Sequence, residues 1–133
     1  MWSYQRHVHV YETDLMGIVH HSNYLRFCEE ARVDWCKKKG LLDSEDKVFS
    51  LAVLETRVKH VKPAKYSDVV RFAMQVKTEG VRMFFQYKLS VGNHIVCLVE
   101  TVHCNLDKNL KVQRLGSDLI KMLEKEIWTE TWL

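Results

Sequence analysis

Apolar residues recur with helical spacing after residue 22. Tyr24, Phe27, Cys28, Ala31 and Trp35 fall at i, i+3, i+4, i+7 and i+11, one face of a helix. Ser22 is placed to cap its start, and Lys37-Lys38-Lys39-Gly40 supplies cations for the negative helix end and then a stop. The pattern predicts one helix of about 17 residues. Strand-like patterns flank it. Residues 3–10 alternate loosely and read as a first strand, and Val48–Val61 is a long β-like run ending near Pro63. Val70, Phe72, Met74 and Val76 alternate with Arg71, Ala73, Gln75 and Lys77, predicting a half-buried strand over 69–78. Glu79-Gly80 then turns the chain. Val81, Met83, Phe85, Tyr87, Leu89 and Val91 share one face of the next strand, and Gly92-Asn93 is a two-residue hairpin signal. His94–Leu106 is apolar on both faces, as a central strand would be. Asp107-Lys108-Asn109 is expected to lead into a short last strand around Leu110–Arg114. A terminal helix is expected over 117–127, with Leu119, Ile120, Leu123 and Ile127 inward. The order is strand, helix, antiparallel meander, an α+β arrangement in which one long helix covers one face of a curled sheet. The two-faced strand 94–106 predicts that the other face is covered by oligomerisation.

Length and composition narrow the class. The 133 residues suffice for one domain, 1–133, and not for two. With 47% apolar and 28% charged residues the chain has ordinary globular composition, without repeats or low-complexity tracts. A net charge of +3 lacks the dense basic stripe that a nucleic-acid binder needs. A local basic cluster does occur at Arg57, Lys59, His60, Lys62 and Lys65. It reads either as a solvated strand and turn or as a landing place for a phosphate-bearing ligand. No secretory h-region opens the chain and no apolar run approaches a membrane span. Cys28, Cys36, Cys97 and Cys104 form no CxxC pair and read as core residues of a reducing, cytoplasmic protein.

Candidate chemistry concentrates in Tyr11-Glu12-Thr13-Asp14-Leu15-Met16-Gly17-Ile18-Val19-His20-His21-Ser22-Asn23-Tyr24, directly before the helix. A helix start offers unpaired N–H groups and a positive dipole end. A carboxylate beside such donors can attack a carbonyl whose oxygen they polarise, or send water at it. Asp14 also suits a plain turn, since Asp favours such positions. A metal reading of His20 and His21 with His7-x-His9 lacks an Asp, Glu or Cys at ligand spacing, so no metal is expected. No GxSxG elbow is present for a serine nucleophile. Glu29 and Arg32, three apart on the helix, suit a surface ion pair. Trp128 and Trp132 read as docking or interface aromatics, or as pocket lining.

The spacing Asp14-x-x-Gly17-x-Val19-x-His21-x-x-Tyr24, followed by Glu29-x-Ala31-Arg32, resembles the 4-hydroxybenzoyl-CoA thioesterase family of the hotdog superfamily. It is most similar in character to the Tol-Pal-associated acyl-CoA thioesterase branch. Pro63-Ala64-x-Tyr66-x-Asp68 resembles the family's turn between the second and third strands. The resemblance implies a hotdog fold, with a sheet wrapped around the long helix. It also implies a homodimer or homotetramer with sites at the dimer interface, and hydrolysis of an acyl-CoA substrate without metal or other cofactor. Residue by residue, it implies Asp14 as the catalytic carboxylate and His21 as the helix-start position whose backbone N–H polarises the thioester carbonyl. Gly17 matches the glycine that lets the loop pass close to ligand, and Asn23 and Tyr24 match the helix-opening pair that holds the loop. His20 stands where the family often has an aromatic residue, and Glu29 matches an acidic helix position near the site. Arg57, Lys59, Lys62 and Lys65, with Arg82 further out, are the candidates for CoA phosphates. An acyl-carrier-protein substrate, a thioester hydratase and a non-catalytic acyl-CoA-binding module are the alternatives to weigh.

Overall fold

The computed structural model describes residues 1–41 and 51–133. Among the described residues, five strands and two helices follow the order β1 Trp2–His7, α1 His21–Lys38, β2 Leu51–His60, β3 Val69–Glu79, β4 Arg82–Val91, β5 His94–Asn105 and α2 Ser117–Glu124. A single turn of 3-10 helix, Val10–Glu12, precedes α1. All pairings are antiparallel, with sheet order β1-β3-β4-β5-β2. The expected meander is therefore present, and strand 94–106 is internal as its two apolar faces require. The first residues of the expected run, 48–50, lie outside the described residues.

The helix sits on one face of the sheet because its apolar stripe faces that way. Phe27, Cys28, Ala31 and Trp35 have no solvent exposure, and Trp35 meets Phe85 edge-on with ring centroids 5.6 Å apart. From the sheet, Phe72, Met74, Val76, Met83, Phe85, Tyr87, Leu89 and Val99 point into the same core. Their parity along β3, β4 and β5 follows from the period of two. Burying so many large side chains against one helix is what fixes the register of the sheet. The two tight hairpins work as their glycines allow: Gly80 and Gly92 take φ of 62° and 57°, left-handed values that cost a glycine little.

The opposite face is lined by a polar row in register across four strands. Gln75, Gln86, Glu100 and Arg57 are successive cross-strand partners. Gln75 Nε2 donates to Gln86 Oε1 (3.0 Å), Gln86 Nε2 donates to Glu100 Oε1 (3.0 Å), and Arg57 pairs with Glu100. The segment after α2 crosses this row. Thr129 N–H and Trp132 N–H donate to Gln75 Oε1 and Gln86 Oε1, and Gln75 Nε2 donates to the Glu130 carbonyl. Trp128 and Trp132 lie against the Lys77 and Lys88 ammonium groups, at 4.6 Å each. The outer face over β3, β4 and β5 is thus covered by the chain itself, so the two-faced pattern of residues 94–106 does not by itself require a second subunit. Among the described residues β1 and β2 are the two sheet edges, and Val53 and Leu54 are exposed along β2.

Several details differ from the sequence reading. His20, not Ser22, is the N-cap: its Nδ1 accepts the Ser22 N–H (3.2 Å) and faces the Ser22 hydroxyl at 2.8 Å. Residues 110–114 do not form a strand. Asp107 Oδ1 accepts the Asn109 and Lys111 N–H groups, closing the chain into a loop with only a Leu106–Val112 bridge. The terminal helix ends at Glu124, which leaves Ile127 exposed, while Leu123 is buried as expected. Arg32 does not pair with Glu29. It reaches into the core and donates to the Tyr87 hydroxyl at 3.0 Å. The four cysteines are free and buried.

Candidate active site

The segment between the first 3-10 turn and α1 is a small hairpin. Thr13 bridges to Val19, Asp14 N–H donates to the Ile18 carbonyl (2.8 Å), and Gly17 N–H donates back to the Asp14 carbonyl (3.0 Å). Gly17 closes this turn with φ of 78°, a left-handed conformation that a side chain would strain. Asp14 Oδ1 accepts the Met16 N–H at 2.8 Å. The Asp14 carboxylate therefore does hold the turn, but with one oxygen, and it is half-buried at a cleft.

The loop is anchored to the helix it precedes. Asn23 Nδ2 donates to the Glu12 carbonyl (2.8 Å), and so does His20 N–H (2.9 Å). Tyr24 accepts the Ala64 N–H on its hydroxyl (3.1 Å), while Val19 N–H donates to the Ala64 carbonyl (2.9 Å). Burial pushes the Tyr24 phenol up, the Ala64 bond opposes this, and Cys97, Asp14 and Asp68 add to it. Tyr24 stays protonated, and because its oxygen accepts from Ala64 its own proton is free to donate. In the first turn of α1, Ser22 N–H goes to His20 Nδ1 and Asn23 N–H goes to the His20 carbonyl. Among the described residues, His21 N–H has no acceptor. It lies beside the positive end of the helix dipole.

Asp14 and His21 line one cleft with Met16, Ile18, Val19, Tyr24, His60, Val61, Lys62 and Pro63, with a volume of about 350 Å³. The wall is mixed: apolar from Ile18, Val19, Val61 and Pro63, polar from the acid, the two histidines and the lysine. Gly17 and Asn23 shape the loop and helix start rather than the wall. Of the basic cluster, only His60 and Lys62 face this cleft. Arg57 and Lys59 alternate onto the outer face, where Arg57 is held by Glu100 and donates to the Leu133 carbonyl at 3.2 Å. Arg82 pairs with Glu79 and Cys104 at the far end of the hairpin. Glu29 is exposed on α1 and does not line the cleft. His60, which the sequence places only in the basic cluster, lines the cleft beside Tyr24. Its ring lies 5.5 Å from that of Tyr24. The signal was parity: it follows Val58, half-buried against the core, by two positions on β2. No group of three or more His, Cys, Asp or Glu side chains suited to a metal ion occurs among the described residues.

A curled antiparallel sheet over one long helix, with an acidic loop delivered to that helix's start, defines the hotdog class of thioester hydrolases. The chain belongs to the thioesterase-like superfamily, whose pattern it matches over residues 8–123. It is 34% identical over 126 residues to a protein of Aquifex aeolicus, covering 91% of this chain and 96% of that one. A crystal structure of an Aquifex aeolicus protein superposes with a TM-score of 0.84 at 32% identity, covering 92% of this chain and 99% of that one. A 1,4-dihydroxy-2-naphthoyl-CoA hydrolase of Thermosynechococcus vestitus is 30% identical over 107 residues (75% of this chain, 72% of that one). The acyl-CoA thioesterase YbgC of Helicobacter pylori matches 32% over 71 residues, about half of each chain. No helix among the described residues is long and apolar enough to cross a membrane.

Proposed function

We propose that this protein hydrolyses an acyl- or aroyl-CoA thioester to the free acid and CoA, with Asp14 as the reacting carboxylate and His21 N–H as the oxyanion donor. The observation that carries this reading is the placing of a half-buried carboxylate and an unsatisfied helix-start N–H on one cleft. The thioester carbonyl would sit with its oxygen on the His21 N–H and its carbon toward the free Asp14 oxygen. Two balanced routes follow. In one, Asp14 bonds to the carbonyl carbon, the C–S bond breaks, CoA leaves as thiolate, and water hydrolyses the resulting anhydride to acid and carboxylate. In the other, Asp14 takes a proton from water as the oxygen bonds to carbon, and the same C–S bond breaks. Both raise negative charge on the carbonyl oxygen, where a preorganised N–H acts most strongly. The donor is main chain, so replacing the His21 side chain leaves it in place.

Lys62 is the cation of the cleft and takes CoA phosphate in this reading. Arg57 and Lys59, on the opposite face, bind phosphate only from a cleft shared with a second copy. The single-chain cleft, about 350 Å³ and open to solvent, is small for an acyl-CoA. Pairing of two β2 edges into a continuous sheet would cover Val53 and Leu54 and add a wall, which supports a homodimer as the working unit and a homotetramer as its doubled form. The 1,4-dihydroxy-2-naphthoyl-CoA hydrolase among the relatives supports an aromatic acid as one substrate class.

The test is thiol release from short, long and aromatic acyl-CoAs by wild type and Asp14→Asn. Turnover that falls at least about 100-fold in a folded mutant supports the reading. Equal rates remove Asp14 from the chemistry. No turnover on any CoA ester, with turnover on acyl carrier protein, moves the substrate to the carrier, and binding without turnover makes the protein an acyl-CoA-binding module.

A further inference from the structure

We propose that Arg6 and Glu12 form a positioning clamp that sets the distance between the acid loop and the oxyanion donor. This rests on the hydrolytic reading above and names residues outside the cleft. Glu12 is a buried carboxylate, 7% exposed, in the turn that opens the loop. Its two oxygens receive Arg6 Nη1 and Nη2 at 2.8 Å each, a fork-to-fork pair, and Oε1 also accepts the His9 N–H at 2.8 Å. Burial pushes the Glu12 carboxyl up, but the Arg6 bonds, the His9 N–H and the Arg6 charge outweigh this and hold it below its ordinary value. Arg6 is fixed in turn. Its Nε meets Glu30 of α1 at 2.9 Å, and its guanidinium lies 3.9 Å over the Phe27 ring.

The side chain of Glu12 is thus tied to β1, while its carbonyl is tied to α1. That carbonyl receives both His20 N–H and Asn23 Nδ2. Residue 12 closes one end of the Asp14 hairpin and His20 closes the other. The spacing of the Asp14 carboxylate from the His21 N–H is therefore set through this residue together with the Thr13–Val19 bridge and the Asp14–Ile18 bond inside the hairpin. A rigid fork is suited to such a task, since Lys in place of Arg offers a point charge with no planar match. A shift of about 1 Å between reacting groups can cost about 100-fold in rate without removing any of them.

The experiment measures kcat and KM for wild type, Arg6→Lys, Glu12→Gln and Asn23→Ala. Each is assayed well below its own unfolding temperature, and Glu12→Gln is repeated in an Asp14→Asn background. Asn23→Ala cuts the helix side of the clamp without touching the buried charges, so it decides the matter if the other two do not fold. The expected result is a fall in kcat of about 10- to 100-fold with KM within about threefold. The further loss from Glu12→Gln is expected to vanish once Asp14 is gone. A folded Asn23→Ala or Glu12→Gln enzyme with kcat within twofold of about wild type overturns the clamp while Asp14→Asn still abolishes turnover. Failure of Asp14→Asn to reduce turnover refutes the hydrolytic reading itself.

Discussion

His103 predicts a specific loss of stability in mild acid. It has no solvent exposure and lies on β5 in the core beneath α1. Its Nε2 meets the Thr101 hydroxyl at 2.8 Å, that hydroxyl meets the Tyr87 hydroxyl at 2.8 Å, and Arg32 donates to Tyr87. The Phe85 ring stands edge-on at 5.1 Å, and Nδ1 has no hydrogen-bond partner. Burial first and the Arg32 charge second lower the imidazole to about 4, with the Leu51 backbone near enough to oppose them without hydrogen-bond geometry. The native pKa is therefore below the unfolded value. Above pH 6.5, the ordinary value, both states hold a neutral ring and the group contributes no pH dependence. As pH falls below that value, the unfolded chain takes up a proton that the native chain refuses, so stability falls until about pH 4 and then levels off. The gap between 6.5 and about 4 corresponds to about 3 kcal/mol, a large part of a typical domain stability of about 5–15 kcal/mol. Urea unfolding of wild type and His103→Leu at several pH values from about 7.5 to 4.5 reads this out. In the variant the Thr101 hydroxyl keeps its bond to Tyr87, so no new polar orphan is left. Wild type should lose about 2–3 kcal/mol more than the variant over that range. Parallel loss in the two proteins would refute the burial argument. Glu12, held below its ordinary value, destabilises only at lower pH, as its carboxylate is protonated, and does so in both proteins.

Two further predictions concern the cleft and the core. Lys62→Ala should raise KM for an acyl-CoA several-fold with kcat nearly unchanged, and steady-state kinetics with an unchanged KM would exclude it from phosphate binding. Burial raises the Cys28 thiol well above its ordinary value and the Cys36 and Cys97 thiols to about 11 and 12, so none offers appreciable thiolate at neutral pH. Labelling by a chromogenic disulfide should therefore track unfolding in denaturant, and rapid modification of the native protein would contradict it.

The resemblance to thioesterases was carried by a local motif, and the helix, its inward stripe and the meander were legible because burial imposes period 3.6 or period 2 on adjacent residues. Asp14, Gly17 and His21 were legible for the same reason: a turn and a helix start are short-range structures. What was misread depended on contacts between distant segments. Arg57 and Lys62 belong to one charge cluster in sequence, yet strand parity and the Glu100 partner send Arg57 to the outer face, while Lys62 turns to the cleft. Arg32 reads as half of a surface pair with Glu29 until the sheet offers it the Tyr87 hydroxyl. The helix cap is His20 rather than Ser22 because α1 already begins at His21, which places Ser22 inside the first turn as the donor that His20 Nδ1 accepts.

The sequence by itself determined the class of fold, the position of the acid loop and the helix start that receives it. Those features rest on side-chain type and spacing over at most a few turns. The tertiary structure decided that Glu12 joins β1 to α1, that His60 faces Asp14's cleft, and that the Gln75-Gln86-Glu100-Arg57 row is covered by residues 128–133. Each of these needs strands far apart in the chain to be brought into register, and a register is set by the packing of the whole core rather than by any one segment.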